Sequence, residues 1–561
     1  MVERGDWLVP YYRGQPFWDK PALTYWLMAL SFEAFGFTAE AARIVPALAT
    51  LLALLAAFWL GRETVGRRAA LAGALVLATT LAFVGFGRVA MSDSLLALFS
   101  TLAMALGLAG YAGRGRWAVP ALGLVLGLGF LTKGPVALLL PGLGLLALAA
   151  ARWRGEGLRP PLGPGRLALA AALFAVAGLG WFGLVYARLG SGPLEWFFLR
   201  ENLQRFAAST YDTGRPPWYY LVTYLAQGAP WSLFLPLALL RLFARARAER
   251  GAEERGARLL LLWVGLMLVP LSLSRGKLDY YLLPLYPPLA LVVGHALAAR
   301  PWGPLERWWA RAVLLLVALA AGLALRLPSA IPSAWLPPAD ELRLVGAGAG
   351  LLALLLAGAS LRPRPASTLG LLAGGLTALF LALTTVFLPA FRAGQPNAEI
   401  VADVLREKAW EPELRLALCE DPVRVQRDVL FEARIAVDER CDLYAPIASK
   451  LPFLLLLDHQ ERVLGRSTGL RHVRTYTYLP ATAFGLRGLV EGLAPRRAEL
   501  YANFQTGDPV ARLKAQKERR RYWRDLQARE QREQLRASGE LQRRRQARRD
   551  GRRQAPAAPL P

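Results

Sequence analysis

Arginine is the ordinary cation of this chain, so its few lysines stand out. Before residue 390 there are three: Lys20 in FWDKPAL, Lys133 in LTKGP and Lys277 in SRGKLDYY. A compact ammonium close to a membrane surface is a suitable point-charge partner for a phosphate. Other polar residues stand beside these lysines: Asp19 next to Lys20, Arg88 and Asp93 in FGRVAMSDS, Arg205 in ENLQRF, and Asp279, Tyr280 and Tyr281 after Lys277. Gathered against the local charge trend, they suggest a phosphate-binding site at that surface. Plainer readings stay open. A lysine at an interface can snorkel, Asp93 can cap the helix it begins, and Arg88 and Asp93 can pair to brace one short loop.

The elements that must position these residues are apolar. The 561 residues are 55% hydrophobic and 19% charged, with a mean hydropathy of +0.31. The apolar residues gather into runs close to the ~20 residues that cross a bilayer core. The predicted fold is an all-α polytopic membrane bundle of about twelve spans, at 43–62, 69–87, 93–112, 117–132, 135–151, 166–187, 230–244, 259–274, 281–299, 309–326, 344–361 and 368–389. This composition excludes a disordered chain, a disulfide scaffold and a free nucleic-acid-binding domain, despite a formal charge of +26. Arg62/Arg67/Arg68, Arg114/Arg116, Arg152/Arg154/Arg159, the Arg245–Arg258 stretch, Arg300/Arg307 and Arg362/Arg364 fall on one side, which the positive-inside rule makes cytoplasmic. All three lysines then lie on the outer face. Residues 1–42 form an external loop with interfacial helices, Pro21–Phe35 among them, and 43–390 form the membrane domain. A small external α/β domain occupies 391–490, with a helix near Ala398–Lys408 and strands at Leu414–Cys419, Val429–Val437 and Leu451–Leu457. Cys419 and Cys441 either pair or stay as two unrelated thiols. A basic tail, helical or disordered, fills 491–561; from Ala511 it holds 17 Lys+Arg against 6 Asp+Glu.

The stretch MVERGDWLVPYYRGQPFWDKPALTYWL, with FGRVAMSDS, GFLTKGP, ENLQRF, the segment Pro216–Trp231 and GKLDYYLLPLYPP, resembles glycosyltransferase family 39 of the GT-C class, which includes aminoarabinose lipid A transferases and protein O-mannosyltransferases. The resemblance covers roughly residues 1–390. It implies transfer of a sugar from a polyprenyl-phosphate donor to a lipid or protein acceptor at the outer face of the cytoplasmic membrane. Lys20 would bind the donor phosphate, with Arg205 and Tyr281 completing the grip and Lys277 as a further candidate. Asp93 and Asp19 are the catalytic candidates; Arg88 and Lys133 are structural or steering. The family's first span and the acidic motif after it have no counterpart, so the expectation is a start assigned too far downstream or a truncated, inactive copy. Asp19 stands where some relatives place a metal-binding glutamate, and no histidine precedes His295. No obligatory cofactor or zinc is therefore expected, with a carboxylate-bound divalent cation left possible; His295, His459 and His472 are taken as structural.

Two other classes compete. A transporter or lipid flippase would also show many spans, but with polar residues near mid-bilayer rather than gathered at one face. A non-catalytic scaffold would use the external domain and basic tail to bind partners. Membrane lipids are expected partners and nucleic acid is not. The sugar and the acceptor are not legible.

Overall fold

The computed structural model describes residues 1–12, 15–155, 163–207, 215–244, 251–298, 302–324, 336–387, 389 and 397–410, and the strand segments 415–418, 436–438, 453–458, 471–478 and 496–502. Cys419, Cys441, His459 and the tail from Ala511 lie outside the described residues.

The chain divides into two units, Met1–Ser329 with Pro337–Pro389, and Ala330–Leu336 with Ala390–Pro561. In the first, a two-strand ladder pairs β1 (Tyr11–Tyr12) with β2 (Gln15–Pro16) ahead of the helices. These are α1 (Leu23–Phe35), α2 (Ala39–Thr64), α3 (Gly66–Ala78), α4 (Leu81–Phe86), α5 (Asp93–Tyr111), α6 (Ala118–Lys133) and α7 (Val136–Gly155). Then follow α8 (Pro164–Leu189, with a π turn at Ala175–Leu179), α9 (Tyr219–Gln227), α10 (Leu235–Ala244), α11 (Ala252–Leu273), α12 (Tyr286–Ala298), α13 (Pro304–Ala324), α14 (Ala339–Leu361) and α15 (Pro365–Ala382).

All twelve expected spans overlap helices, but among the described residues seven stretches are long and apolar enough by themselves to cross a membrane: those in Ala39–Thr64, Asp93–Tyr111, Pro164–Leu189, Ala252–Leu273, Asp279–Ala298, Ala339–Leu361 and Pro365–Phe387. The others fall short for visible reasons. The span expected at 69–87 is broken between α3 and α4 at Thr79–Thr80, whose hydroxyls bond back to the carbonyls of Leu75 and Val76. The apolar helices Ala118–Lys133, Val136–Ala150 and Trp231–Ala244 are short, and α13 carries Glu306, Arg307 and Arg311 in its first two turns. The 13-residue α1 is about 20 Å long, too short to span.

Where lipid supplies no hydrophobic drive between helices, small residues let backbones approach. Gly73 on α3 and Gly294 on α12 show this: a Cβ on Gly294 would lie 2.3 Å from the Gly73 nitrogen. Buried indoles find acceptors across helices: Trp263 donates to the Leu140 carbonyl at 2.8 Å and Trp231 to the Thr79 hydroxyl at 3.1 Å. Outward faces carry exposed leucines, such as Leu48, Leu51, Leu52 and Leu55 on α2, as a lipid-facing wall requires.

The second unit holds α16 (Asn397–Trp410) and strands β3 (Arg415–Leu418), β4 (Ala436–Asp438), β5 (Phe453–Asp458), β6 (Arg471–Tyr478) and β7 (Arg496–Ala502). Their order is β4-β3-β5-β7-β6, with β3 parallel to both β4 and β5 and β7 antiparallel to β5 and β6. β7 carries the sheet past residue 490, where the sequence set the domain's end; its RRAELYA is charged enough to pass for tail. Inside this unit the buried Asp403 accepts from the Tyr476 hydroxyl and pairs with Arg406, while His472 on β6 is exposed beside the Thr475 hydroxyl.

Candidate active site

α5 and α6 are joined by a short connection, so the N-terminus of α5 meets the C-terminus of α6. Asp93 stands in the first turn of α5 and Lys133 is the last residue of α6; each has the sign that its helix end favours. Asp93 is 3% exposed, and its carboxylate forms an ion pair with the Lys133 ammonium. A buried carboxylate in a membrane protein needs such a partner. The Lys133 ammonium also stands 4.7 Å from the ring centre of Tyr281 and 6.0 Å from that of Tyr280. Both tyrosines lie on the 3-10 turn Asp279–Leu285 that leads into α12.

The chain stops at Lys133 because Gly134 turns it. Gly134 has φ +68° and ψ −142°, a region essentially reserved for glycine. A Cβ there would also lie 2.5 Å from the Phe197 ring. The glycine of TKGP thus ends α6 with its lysine aimed at Asp93 and lets an aromatic ring close over the turn.

Lys20 arrives from the segment between β2 and α1. Its ammonium donates to the Asp19 carbonyl at 2.8 Å and lies 3.9 Å from the Glu201 carboxylate. Lys20, Lys133 and Tyr281 form the boundary between two cavities. One, about 200 Å³, is also lined by Asp93, Thr24, Tyr25, Met28 and Tyr280. The other, about 860 Å³, is mainly apolar, with Leu139, Leu143, Leu146, Phe197, Leu203 and Phe206 among its walls. Burial raises the Tyr25 phenol well above the ordinary tyrosine range, with Asp19 adding to the shift, so Tyr25 faces the small cavity as a neutral hydroxyl. Thr24 presents a buried hydroxyl without a hydrogen-bond partner among the described residues.

Four of the eight residues singled out from the sequence therefore meet: Asp93, Lys20, Lys133 and Tyr281. Three do not. Lys277 is 3% exposed and donates to the carbonyls of Arg215, at 3.1 Å, and Ser274. Ser274 caps the C-terminus of α11, so the ammonium serves a helix end, and burial lowers its pKa from the ordinary lysine value. Arg88 is exposed and lies over the Phe380 ring, 5.2 Å from its centre; the partner of Asp93 is Lys133 instead. The Asp19 side chain accepts from the Trp196 indole at 3.1 Å and lines neither cavity, since successive residues of this segment turn in different directions. The eighth, Arg205, opens the short helix Arg205–Ala207, whose Phe206 lines the large cavity; its side chain lies outside the described residues. Glu201 stands in the same ENLQRF motif as Arg205, and nothing in the sequence sets its carboxylate apart from an ordinary loop glutamate. Thr24 had no signal beyond its closeness to Lys20. His295 lines a different cavity altogether. Among the described residues no three His, Cys, Asp or Glu side chains come together as a metal site.

Residues 19–181 match the family model described as dolichyl-phosphate-mannose-protein mannosyltransferase, a stretch that contains Asp19, Lys20, Asp93 and Lys133. The undecaprenyl phosphate-alpha-4-amino-4-deoxy-L-arabinose arabinosyl transferase of Pseudomonas aeruginosa is 37% identical over 307 residues, covering 54% of this chain and 53% of that one. A protein of the same name in Sodalis glossinidius is 36% identical over 301 residues, 52% and 51% of the two chains. The crystal structure of ArnT from Cupriavidus metallidurans bound to undecaprenyl phosphate superposes with a TM-score of 0.65 at 21% identity, over 90% of this chain and 92% of the other. The chain has the fold of that ArnT structure. It spans about half the length of the curated relatives it matches. Of the residues at the two cavities, Lys20, Asp93 and Lys133 belong to the matched stretch, and Glu201 and Tyr281 come from beyond residue 181.

Proposed function

We propose that the protein transfers one sugar from a polyprenyl-phosphate carrier to a hydroxyl of a lipid acceptor, at the outer face of the cytoplasmic membrane. The observation that carries this reading is the meeting of a long apolar cavity and a small polar one at Lys20, Lys133 and Tyr281. The apolar cavity suits a prenyl chain. The small one, about 200 Å³, has the liquid volume of roughly seven waters, the scale of a single sugar ring. A phosphate at the boundary would meet the Lys20 ammonium, held in place by the Asp19 carbonyl and Glu201.

The chemistry follows from that placement. The bond between the sugar's anomeric carbon and the phosphate oxygen breaks, and its electron pair leaves with the phosphate, whose growing charge Lys20 neutralises. An acceptor oxygen forms the new bond to the same carbon and gives up its proton. Asp93, the carboxylate that lines the sugar-sized cavity, takes that proton as general base, while Lys133 fixes its position. The hydroxyls of Thr24 and Tyr25 hold the sugar's own hydroxyls. The names of the relatives make undecaprenyl phosphate-linked 4-amino-4-deoxy-L-arabinose the first donor to try, with a lipid A type acceptor.

The test is turnover by the purified full chain with that donor and acceptor, read as modified lipid by mass spectrometry. Transfer by the wild type and a loss of about a hundredfold or more in Asp93→Asn are expected. Transfer by Asp93→Asn at the wild-type rate would remove Asp93 from the chemistry, and absence of sugar release from any polyprenyl-phosphate donor would overturn the reading.

A further inference from the structure

Tyr280 and Tyr281 line the small cavity from the 3-10 turn Asp279–Leu285. A 3-10 run of seven residues is longer than that geometry sustains by itself, so whatever holds its ends decides where the two tyrosines stand. Both ends are held from α9. Asp279, the first residue of the turn, accepts from the Tyr219 hydroxyl and from the Gln227 amide nitrogen, the latter at 2.8 Å. The Gln227 amide oxygen lies 3.5 Å from the hydroxyl of Tyr286, the residue that follows the turn. Tyr219 and Gln227 are the first and last residues of α9, at a spacing that puts both side chains on one face of the helix.

The turn therefore has a gripped side and a free side. Asp279 and Tyr286 face α9. Tyr280 packs edge-on against Phe86, with ring centres 6.1 Å apart, and Tyr281 stands 4.7 Å from the Lys133 ammonium. The carboxylate is what makes the grip two-sided: the hydroxyl meets Oδ1 and the amide meets Oδ2. An asparagine there would turn its own N–H₂ toward one of the two donors. Asp279 lines neither cavity, so its carboxylate is spent on placing its neighbours. Lys277, just before the turn, takes no part in this grip, because it serves the end of α11.

We propose that Asp279 is a positioning residue for the donor phosphate: held by Tyr219 and Gln227, it fixes the turn on α9 and so sets the Tyr281 hydroxyl at the boundary of the two cavities. This role rests on the function proposed above, in which the phosphate sits at that boundary. Asp279 touches neither the phosphate nor the sugar. Without its two hydrogen bonds the start of the turn is released, and the Tyr281 hydroxyl loses its fixed place.

The test is a double-mutant cycle on equilibrium binding of undecaprenyl phosphate to the purified full chain, read per folded molecule. Tyr281→Phe keeps the ring beside Lys133 and removes the hydroxyl; Asp279→Asn keeps the shape of the side chain and spoils one of its two hydrogen bonds. Each alone should weaken binding by up to about tenfold, the scale of one hydrogen bond to a charged group. The two together should weaken it no further than Tyr281→Phe does, because Asp279 acts through that hydroxyl. Gln227→Leu should give the same pattern, and stands in for Asp279→Asn if that variant does not fold. A purely structural role would lower the unfolding midpoint and leave affinity unchanged, or would give losses that multiply in the double variant; either result overturns the proposal. If Tyr281→Phe weakens binding and neither Asp279→Asn nor Gln227→Leu does, the phosphate seat stands and the role of Asp279 alone falls. If Tyr281→Phe binds like the wild type, the seat itself is misplaced and the role of Asp279 falls with it.

Discussion

The Asp93–Lys133 pair is the residue-scale feature with the largest stake. Both groups are buried or nearly so, with side chains 4% and 11% exposed, and a buried pair that loses one member leaves an uncompensated charge worth about 3–5 kcal/mol. Lys133→Met should therefore destabilise the protein by that order, and Asp93→Asn/Lys133→Met should recover most of the loss, measured as unfolding midpoints in detergent. Equal destabilisation by the single and double variants would mean the pair carries no such energy. Lys277→Met should behave differently: it strands the carbonyls of Arg215 and Ser274 at a cost of about 1–3 kcal/mol, with no charge left behind to rescue. In the sequence Lys133 and Lys277 are alike, each in a short loop motif with a glycine beside it. They part company because one ends a helix facing a carboxylate and the other folds back onto the carbonyl at a helix end, and that difference is set by neighbours 40 and 62 residues away. Asp93 and Lys20 could be picked out because a charged group near an apolar run needs a reason to be there. Thr24 could not, since a threonine in an apolar helix usually bonds its own backbone.

At the scale of elements, the turn at Gly134 aims Lys133. Gly134→Ala meets a backbone region closed to alanine and the Phe197 ring together, for a cost of about 1–3 kcal/mol. The measurable consequence should exceed simple instability: with Phe197 displaced from the wall of the large cavity, prenyl-phosphate affinity per folded molecule should fall, whereas a glycine such as Gly85, with open space where a Cβ would stand, should tolerate alanine on both counts. Undiminished affinity in Gly134→Ala would separate the turn from the cavity. The helices were the most legible part of the molecule, because apolar runs have few alternatives in lipid. Their breaks were less so: Thr79–Thr80 divides a run that reads as continuous, since the hydroxyls that bond back to α3 add no polarity a hydropathy window registers. β7 is hidden for the opposite reason, its adjacent Arg496 and Arg497 and nearby Glu499 masking a strand with Leu500 fully buried.

For the whole molecule, the proposed sugar transfer lies at the membrane face that carries Lys20 and Asp93, opposite the arginine-rich helix ends. In the proposed orientation those arginine-rich ends face the cytoplasm. A cysteine at exposed Val89 should then react with a membrane-impermeant thiol reagent added to intact cells, and one at exposed Arg114 should not, in a chain whose Cys419 and Cys441 are serines; the reverse pattern would invert the orientation. Central to the proposed function is one phosphate received where the two cavities join at Lys20, Lys133 and Tyr281. Equilibrium binding of undecaprenyl phosphate to the purified chain tests this most directly, with wild type, Lys20→Ala and Lys277→Met compared per folded molecule. Removing one charge-assisted contact should weaken Lys20→Ala by about ten- to a hundredfold and leave Lys277→Met at the wild-type affinity; binding that survives in Lys20→Ala, or falls equally in both variants, would contradict it.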